Sequence, residues 1–595
     1  MRTVGKILLG ILASLGLLVI VTFVGGLYVV SSFKGDDKKA TAPDKIVLTL
    51  NLDEQISEGR AGSGFASLGL KSHPKMQDMV IALRRAKDDP RVVALRATMS
   101  ASPMGLAQMQ DLRDLIADFE TSGKQTYLFS ETIGETVGAM STYYLASAFD
   151  NIWVQPSGTV GVAGIGTEEL FFKDFLDRFG IKGAFLQRKE YKSAGEAVTN
   201  SSMSPANREA MTALLGSWFE QMVGGIAESR KLTPDAVKTL VERGPLMATE
   251  ARDGGLVDSL GYRDEFDAAV KARAAGASDL TIAEYLDLGF SSKGTSKKIA
   301  MINAVGTIVR GDESDDGGLF NSSVGVRSGV MAKAVRDAFE DDDIAAILIR
   351  VDSPGGSYVA SDTIWREIVK AKDRKKPVIV SMGNVAASGG YFIAMPADRI
   401  FAQPATITGS IGVVMGKIVI GGALEKLDIN WERVTFGESA GIFNSTTDFS
   451  PQQLARLNQM IDATYLDFTS KAAQGRGKTL EEIEKVAKGR VWSGQDALAG
   501  GLVDELGGLS KAIDYTKTRL GLQANDALEL VSFPKPEGRF AALLRSFEGP
   551  DFPFGVVSGL QTLARLGEIL APVLNEVDAA NRPGTQLYVE PVRVK

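Results

Sequence analysis

At 595 residues the chain exceeds what one hydrophobic core supports, so two or more domains are expected. A net charge of −7 argues against a general nucleic-acid binder, and the absence of cysteine excludes disulfides, thiolate nucleophiles and thiolate metal sites. With one histidine, His73, there is no material for an imidazole-rich metal site, and a serine nucleophile must take His73 or a non-histidine group as its base.

Taken in order, the chain opens with Ile7–Val30, an uncharged apolar run long enough to cross a bilayer as one helix. Arg2, Lys6 and the amino terminus make its leading flank the more positive one, which keeps the N-terminus in the cytoplasm. In a bacterial cell this describes a single-pass anchor in the inner membrane with the large domain in the periplasm. A cleaved signal peptide is the competing reading. The length of the run, and the lack of a small-x-small site close behind it, favour an uncleaved anchor.

From Lys45 onward the chain is a diverged tandem repeat. K-I-V-L-T-L-N at Lys45 returns as K-I-A-M-I-N-A at Lys298, and V-V-A-L-R ending at Arg96 returns as A-I-L-I-R ending at Arg350. Tyr143–Pro156 matches Tyr391–Pro404, M-S-P at Met203 matches F-S-P at Phe449, and G-G-L-V-D-S-L-G at Gly254 matches G-G-L-V-D-E-L-G at Gly500. Five blocks in the same order, at an offset that shrinks slowly as loops shorten, are not a chance pattern. Each unit alternates short β-branched strands with amphipathic helical stretches, which is an α/β pattern. A long helix is expected over Ser204–Lys231, with Ser204 as cap and Pro205 at its first position. The expected division is 1–34 for the cytoplasmic end and anchor, 45–290 and 298–520 for the two repeats joined by a linker at Ser291–Lys297, and 521–595 for an irregular extension. That extension holds one amphipathic stretch, Val556–Leu574.

The second repeat carries the densest chemistry. Val378–Ser381 reads as a buried strand and Tyr391–Met395 as a helical turn stopped by Pro396. Ser388 sits between them, after Ala386 and Ala387 and before Gly389 and Gly390, in a turn stripped of bulk. Such a serine is either a plain helix cap or an accessible nucleophile. Aligning the repeats places Met140 opposite Ser388, and Ala440 opposite Lys192 of the Y-K-S-A-G-E stretch. One copy keeps the serine and the other keeps the lysine, the pattern of one active site divided between two copies. A lysine serves as general base only when neutral, which near neutral pH demands a pKa roughly two to three units below its usual ~10.4. R-V-D-S-P-G-G-S at Arg350, between a strand at Ala345–Val351 and a helix at Val359–Lys370, offers Gly355 or Gly356 as an oxyanion donor beside the N–H of Gly389. T-G-S-I-G at Thr408 supplies a second hydroxyl, Ser410, opposite Val162, that can hold the lysine in its neutral form.

S-P-G-G, A-A-S-G-G-Y and T-G-S-I-G in one half, with Y-K-S-A in the other, resemble the long tandem form of signal peptide peptidase A. That family comprises Ser–Lys peptidases on a ClpP/crotonase-like fold of repeated ββα units, and the likeness spans roughly residues 1–520. The resemblance implies Ser388 as nucleophile, Lys192 as general base, Ser410 as the group orienting the lysine, and Gly355, Gly356 and Gly389 as the oxyanion hole. It further implies no metal or other cofactor, signal-peptide remnants and similar hydrophobic peptides as substrates, contact with the lipid bilayer, and a homo-oligomer, a tetramer in the family. Two alternatives stand beside it: a crotonase-type acyl-CoA enzyme, and a non-catalytic membrane scaffold.

Overall fold

The computed structural model describes residues 43–59, 74–134, 139–288, 296–312, 325–523, 526–535 and 586–588. The apolar run Ile7–Val30, His73 and the stretch Val556–Leu574 lie outside them. Among the described residues no helix is long and apolar enough to cross a membrane.

The repeat seen in the sequence becomes two sheets on one plan, the first parallel and the second parallel but for Val491–Ser493, which pairs antiparallel with Ile407–Gly409. In the first half the strands run in the order Ser259–Leu260, Asn151–Val154, Gln125–Ser130, Val92–Thr98, Ile46–Asn51, Ser278–Thr281, every neighbour parallel. In the second, Ala527–Phe533, Ser296–Val305, Ile344–Ser353 and Val378–Ala387 lie side by side and parallel. The last of these then pairs with Arg399–Ala402 along its start and with Ile407–Gly409 along its end. Apolar residues of both halves, among them Leu48, Leu83, Leu112, Met301, Leu348 and Ile379, belong to one continuous buried core.

The repeated blocks have physical reasons. Tyr143 and Tyr391, both fully buried, donate their hydroxyls to the carbonyls of Leu256 and Leu502 in the two G-G-L-V-D segments. Asp258 and Asp504 of those segments accept the N–H of Ile152 and Ile400, and each pairs with an arginine, Arg230 or Arg476. These arginines end the two long helices, Pro205–Arg230 and Pro451–Arg476, each with proline in its first turn and a serine cap, Ser204 or Ser450. The expected helix at Ser204–Lys231 therefore matches to within one residue at each end.

Other boundaries shift. The strand expected at Val378–Ser381 runs on to Ala387, because its glycine- and alanine-rich end pairs with Ile407–Gly409 and abuts Ser353. Small residues read locally as a turn; pairing with neighbours far along the chain holds them extended. The strand at Ala345–Val351 is found as Ile344–Ser353, and the helix at Val359–Lys370 as Tyr358–Asp373.

A third, mixed sheet joins the halves. Lys182–Arg188 of the first half pairs antiparallel with Val413–Val419 of the second along all seven residues. On the far side of Val413–Val419 come, in order, Gln586–Tyr588, Gly355–Ser357, Thr307–Val309 and Gly325–Arg327. This shared sheet carries a first-half segment over to the second half's chemistry.

Candidate active site

Ser388 stands at the sharp corner between Val378–Ala387 and the helix Gly389–Ala394, with φ 56° and ψ −116°. A non-glycine residue in that region costs about 1–3 kcal/mol, and its surroundings must hold it there. They do: Ser388 donates its N–H to the Gly409 carbonyl at 2.9 Å, and its own carbonyl accepts from Phe392 N–H. Its side chain makes no helix-capping bond, so the plain reading of a capping serine fails. The turn leaves the hydroxyl uncommitted to the helix and within hydrogen-bond distance of a lysine amine.

Lys192 arrives from the first half, four residues beyond the end of Lys182–Arg188. Its Nζ lies 2.9 Å from Ser388 Oγ, 2.9 Å from Ser410 Oγ and 3.0 Å from the Ser410 carbonyl. The side chain is 1% exposed, and burial pulls its pKa down to about 7. Neutral, the amine has two N–H donors and one lone pair. Donating to the two Ser410 oxygens leaves the lone pair for the Ser388 hydroxyl proton. Ser410 is fixed for this by its own left-handed backbone, φ 50°, and by donating its N–H to the Arg490 carbonyl at 2.7 Å.

The lysine loop is clamped by residues the sequence reading did not single out. Tyr191 donates its hydroxyl to Glu209, Arg490 pairs with the same carboxylate at 2.6 Å, and the Arg490 guanidinium lies between the rings of Tyr191 and Trp492. Gly489, at φ 83°, packs so tightly that a Cβ there would stand 2.6 Å from the Lys192 nitrogen. The available signal was the repeat itself: V-E-R-G-P at Val241 and V-A-K-G-R at Val486 set Gly244 and Gly489 at the same place in each half.

The glycine turn lies against the corner. A Cβ on Gly389 would meet Ser361 Oγ at 2.6 Å and the Gly356 nitrogen at 3.1 Å, so only glycine lets the two segments approach. Gly355 donates its N–H to Ser353 Oγ at 3.2 Å within its own turn. Of the two expected donors, Gly356 is the one whose nitrogen lies against Gly389.

Behind the turn sits a buried ionic cluster that spans the halves. Arg350 is fully buried and gives two bonds to Glu58, both 2.8 Å, one to Asp111 at 2.6 Å, and two more to Ser381 Oγ and the Met382 carbonyl. All five guanidinium N–H groups are used. Burial pushes Asp111 up to about 6, against the pull of Arg350. Asp352, likewise pushed up to about 6 by burial and by Glu58, accepts the Val385 N–H at 2.9 Å and so ties the strand that leads into the glycine turn to the strand that leads into Ser388.

A family model described as peptidase family S49 matches residues 132–277 and 370–523, one stretch in each half. The serine protease SPPA, chloroplastic, of Arabidopsis thaliana is 30% identical over 499 residues, covering 82% of this chain and 71% of its own. Protease 4 of Salmonella typhi is 30% identical over 500 residues, covering 80% and 79%. A solved structure of a ClpP1 mutant from Listeria monocytogenes aligns over 36% of this chain and 94% of its own at 17% identity, with a TM-score of 0.24, too low to establish a shared fold.

Proposed function

The chain belongs to peptidase family S49 as a serine peptidase of the long SppA (Protease 4) type, and we propose that Ser388 and Lys192 are its catalytic pair. The observation that carries this reading is the buried amine 2.9 Å from the hydroxyl, with both of its donors engaged by Ser410. Neutral Lys192 takes the Ser388 proton as Oγ attacks the scissile carbonyl carbon. The N–H groups of Gly356 and Gly389 receive the oxyanion. The lysine ammonium then protonates the leaving amine as the C–N bond breaks, and the acyl-enzyme remains. Water gives a proton to the same lysine, adds to the ester carbonyl, and releases the acid product and the serine.

The substrates in this reading are signal-peptide remnants and similar hydrophobic peptides, met at the membrane by a periplasmic domain on a single-pass anchor. The apolar run Ile7–Val30 supports the anchor, and the resemblance of the site motifs supports the substrate class and the ClpP/crotonase-like fold. A homo-oligomer is supported by exposed apolar side chains, Phe175 and Phe179 in one half and Leu427, Val434 and Phe436 in the other, which a lone soluble chain has little reason to display. An acyl-CoA enzyme and an inert scaffold both fall to the family membership.

The test is covalent labelling of the full chain with a fluorophosphonate, followed by peptide mapping. One adduct per chain on Ser388, absent in Ser388→Ala and formed at least about a hundredfold more slowly in Lys192→Met, is the expected result. Labelling that survives Ser388→Ala contradicts the assignment.

A further inference from the structure

We infer that Glu209 and Arg490, one from each half, form a clasp over Tyr191 that positions the Lys192 amine for its proton transfers. The inference rests on the catalytic assignment above and adds to it two positioning residues, which act through the backbone that carries the lysine.

Lys192 lies past Arg188, the last sheet-paired residue of its strand, in a loop. A flexible four-carbon stem separates its backbone from its amine, so the 2.9 Å contact with Ser388 holds only where that backbone is fixed. The loop rests on Lys488, Gly489 and Arg490 of the second half. Tyr191 donates its N–H to the Lys488 carbonyl at 3.1 Å, and Gly489 packs against the Lys192 backbone. The same three residues hold the Ser410 turn: Gly489 donates its N–H to the Ile411 carbonyl at 2.8 Å, and the Arg490 carbonyl accepts from Ser410 N–H at 2.7 Å. A shift of this segment therefore displaces the base and its orienting serine together.

The Arg490 side chain binds the segment to the loop. Its guanidinium lies 5.1 Å from the Tyr191 ring and 4.4 Å from the Trp492 ring, and its Nη1 donates to Glu209 at 2.6 Å. Tyr191 donates its hydroxyl to the other oxygen of that carboxylate at 3.1 Å. Glu209 stands near the start of the long helix Pro205–Arg230, so the clasp anchors the loop to a rigid element. Its charges cancel, and the charged groups around it pair off as well: Lys189 with Glu484, Glu190 with Lys488, Arg188 with Asp462. Glu196, one turn further on, accepts from the Asn207 side chain. Burial is what lowers the pKa of Lys192, so the clasp acts on the lysine by geometry and not by charge.

The repeat points to the same two residues. Pro205 answers to Pro451 and Gly244 to Gly489, which sets Ala455 opposite Glu209 and Pro245 opposite Arg490. Each copy keeps one arm of the clasp, as each keeps one member of the Ser388–Lys192 pair.

The test measures kcat, KM and the pH profile of peptide hydrolysis for the full chain and for Glu209→Ala, Arg490→Met, the double variant and Lys192→Met. Arg490→Met is expected to lower kcat about 10- to 100-fold at pH 7 with KM within about twofold, the scale of a misplaced reacting group. The acid limb of its kcat/KM should rise by about one pH unit, because a loosened amine gains water, so the deficit narrows by pH 9. Glu209→Ala should show the same pattern more weakly, and the double variant should lose no more than Arg490→Met alone. The Glu209 side chain is more than half exposed and its ion pair adds little to stability, so the thermal midpoint of Glu209→Ala should stay within about 2 °C of wild type. Wild-type kcat in both single variants, losses that add in the double variant, or an acid limb that stays at its wild-type position overturn the inference while leaving the Ser388–Lys192 pair in place. Full activity in Lys192→Met instead overturns the catalytic assignment.

Discussion

Lys192→Met is expected to lower kcat/KM for peptide hydrolysis by about a thousandfold or more, and at pH 6 to make the protein more stable than wild type. The loss follows from removing the amine that, among the described residues, reaches the Ser388 hydroxyl; a positioned base contributes about 10²–10⁴ in rate, and in the proposed mechanism the same group also serves as the acid. The gain follows from burial. In the unfolded chain the lysine titrates near its ordinary 10.5, and in the folded protein near 7. Between those values the unfolded chain binds more protons, so wild-type stability rises with pH across that window. Below about pH 7 the buried lysine carries its full cost, about 5 kcal/mol for a shift of this size. Methionine has a similar length and no charge to desolvate, but it leaves the Ser410 oxygens short of a donor, a cost of about 1–3 kcal/mol. The difference in thermal stability should therefore favour the variant at pH 6 and vanish or reverse near pH 10. A variant less stable than wild type at pH 6 contradicts a neutral, desolvated lysine.

Arg350→Met is expected to destabilise the protein by about 3–5 kcal/mol, read as a lower urea midpoint, and to take activity with it. The substitution strands the carboxylates of Glu58 and Asp111 inside the core, where neither reaches water. Arg350→Lys should rescue little, because an ammonium cannot reproduce the bidentate pair with Glu58 together with the bonds to Asp111, Ser381 and Met382. Asp111→Asn should cost far less, since burial already draws that carboxyl toward its neutral form. The cluster joins Glu58 and Asp111 of the first half to Arg350 and Ser381 of the second. Its loss should loosen the seat of the glycine turn, which begins three residues after Arg350.

The repeat explains why so much of the site could be read before the fold. Two copies of one scaffold share what the scaffold needs, such as Tyr143 and Tyr391 or Asp258 and Asp504, and those pairs do the same structural task in each half. What differs between copies is what only one of them needs. Subtraction isolated Ser388, Lys192 and Ser410, and the structure sets these three within hydrogen-bond distance of one another through the lysine amine. Arg96 and Arg350 show the limit of this approach. They match in sequence, yet Arg96 pairs with Asp267 and Asp279 at partly exposed positions while Arg350 is sealed between the halves. Nothing local distinguishes them, because the difference is set by the docking of one half on the other. The same holds for Glu58 and Asp111, whose partner lies hundreds of residues away, and for Gly489, whose need to be glycine is imposed by the Lys192 backbone. The strand Gln586–Tyr588 escaped for another reason: three residues behind a proline-containing stretch carry no periodicity to detect.

The most direct measurement of the central claim is kcat/KM for a model peptide from pH 5 to 9. A Lys192 base with a pKa near 7 predicts a single acid limb that falls about tenfold per pH unit below 7 and levels above it, unmoved by Asp111→Asn. A limb centred near 4–5, or one that moves with Asp111→Asn, would place the essential proton on a carboxylate and contradict the Ser388–Lys192 pair.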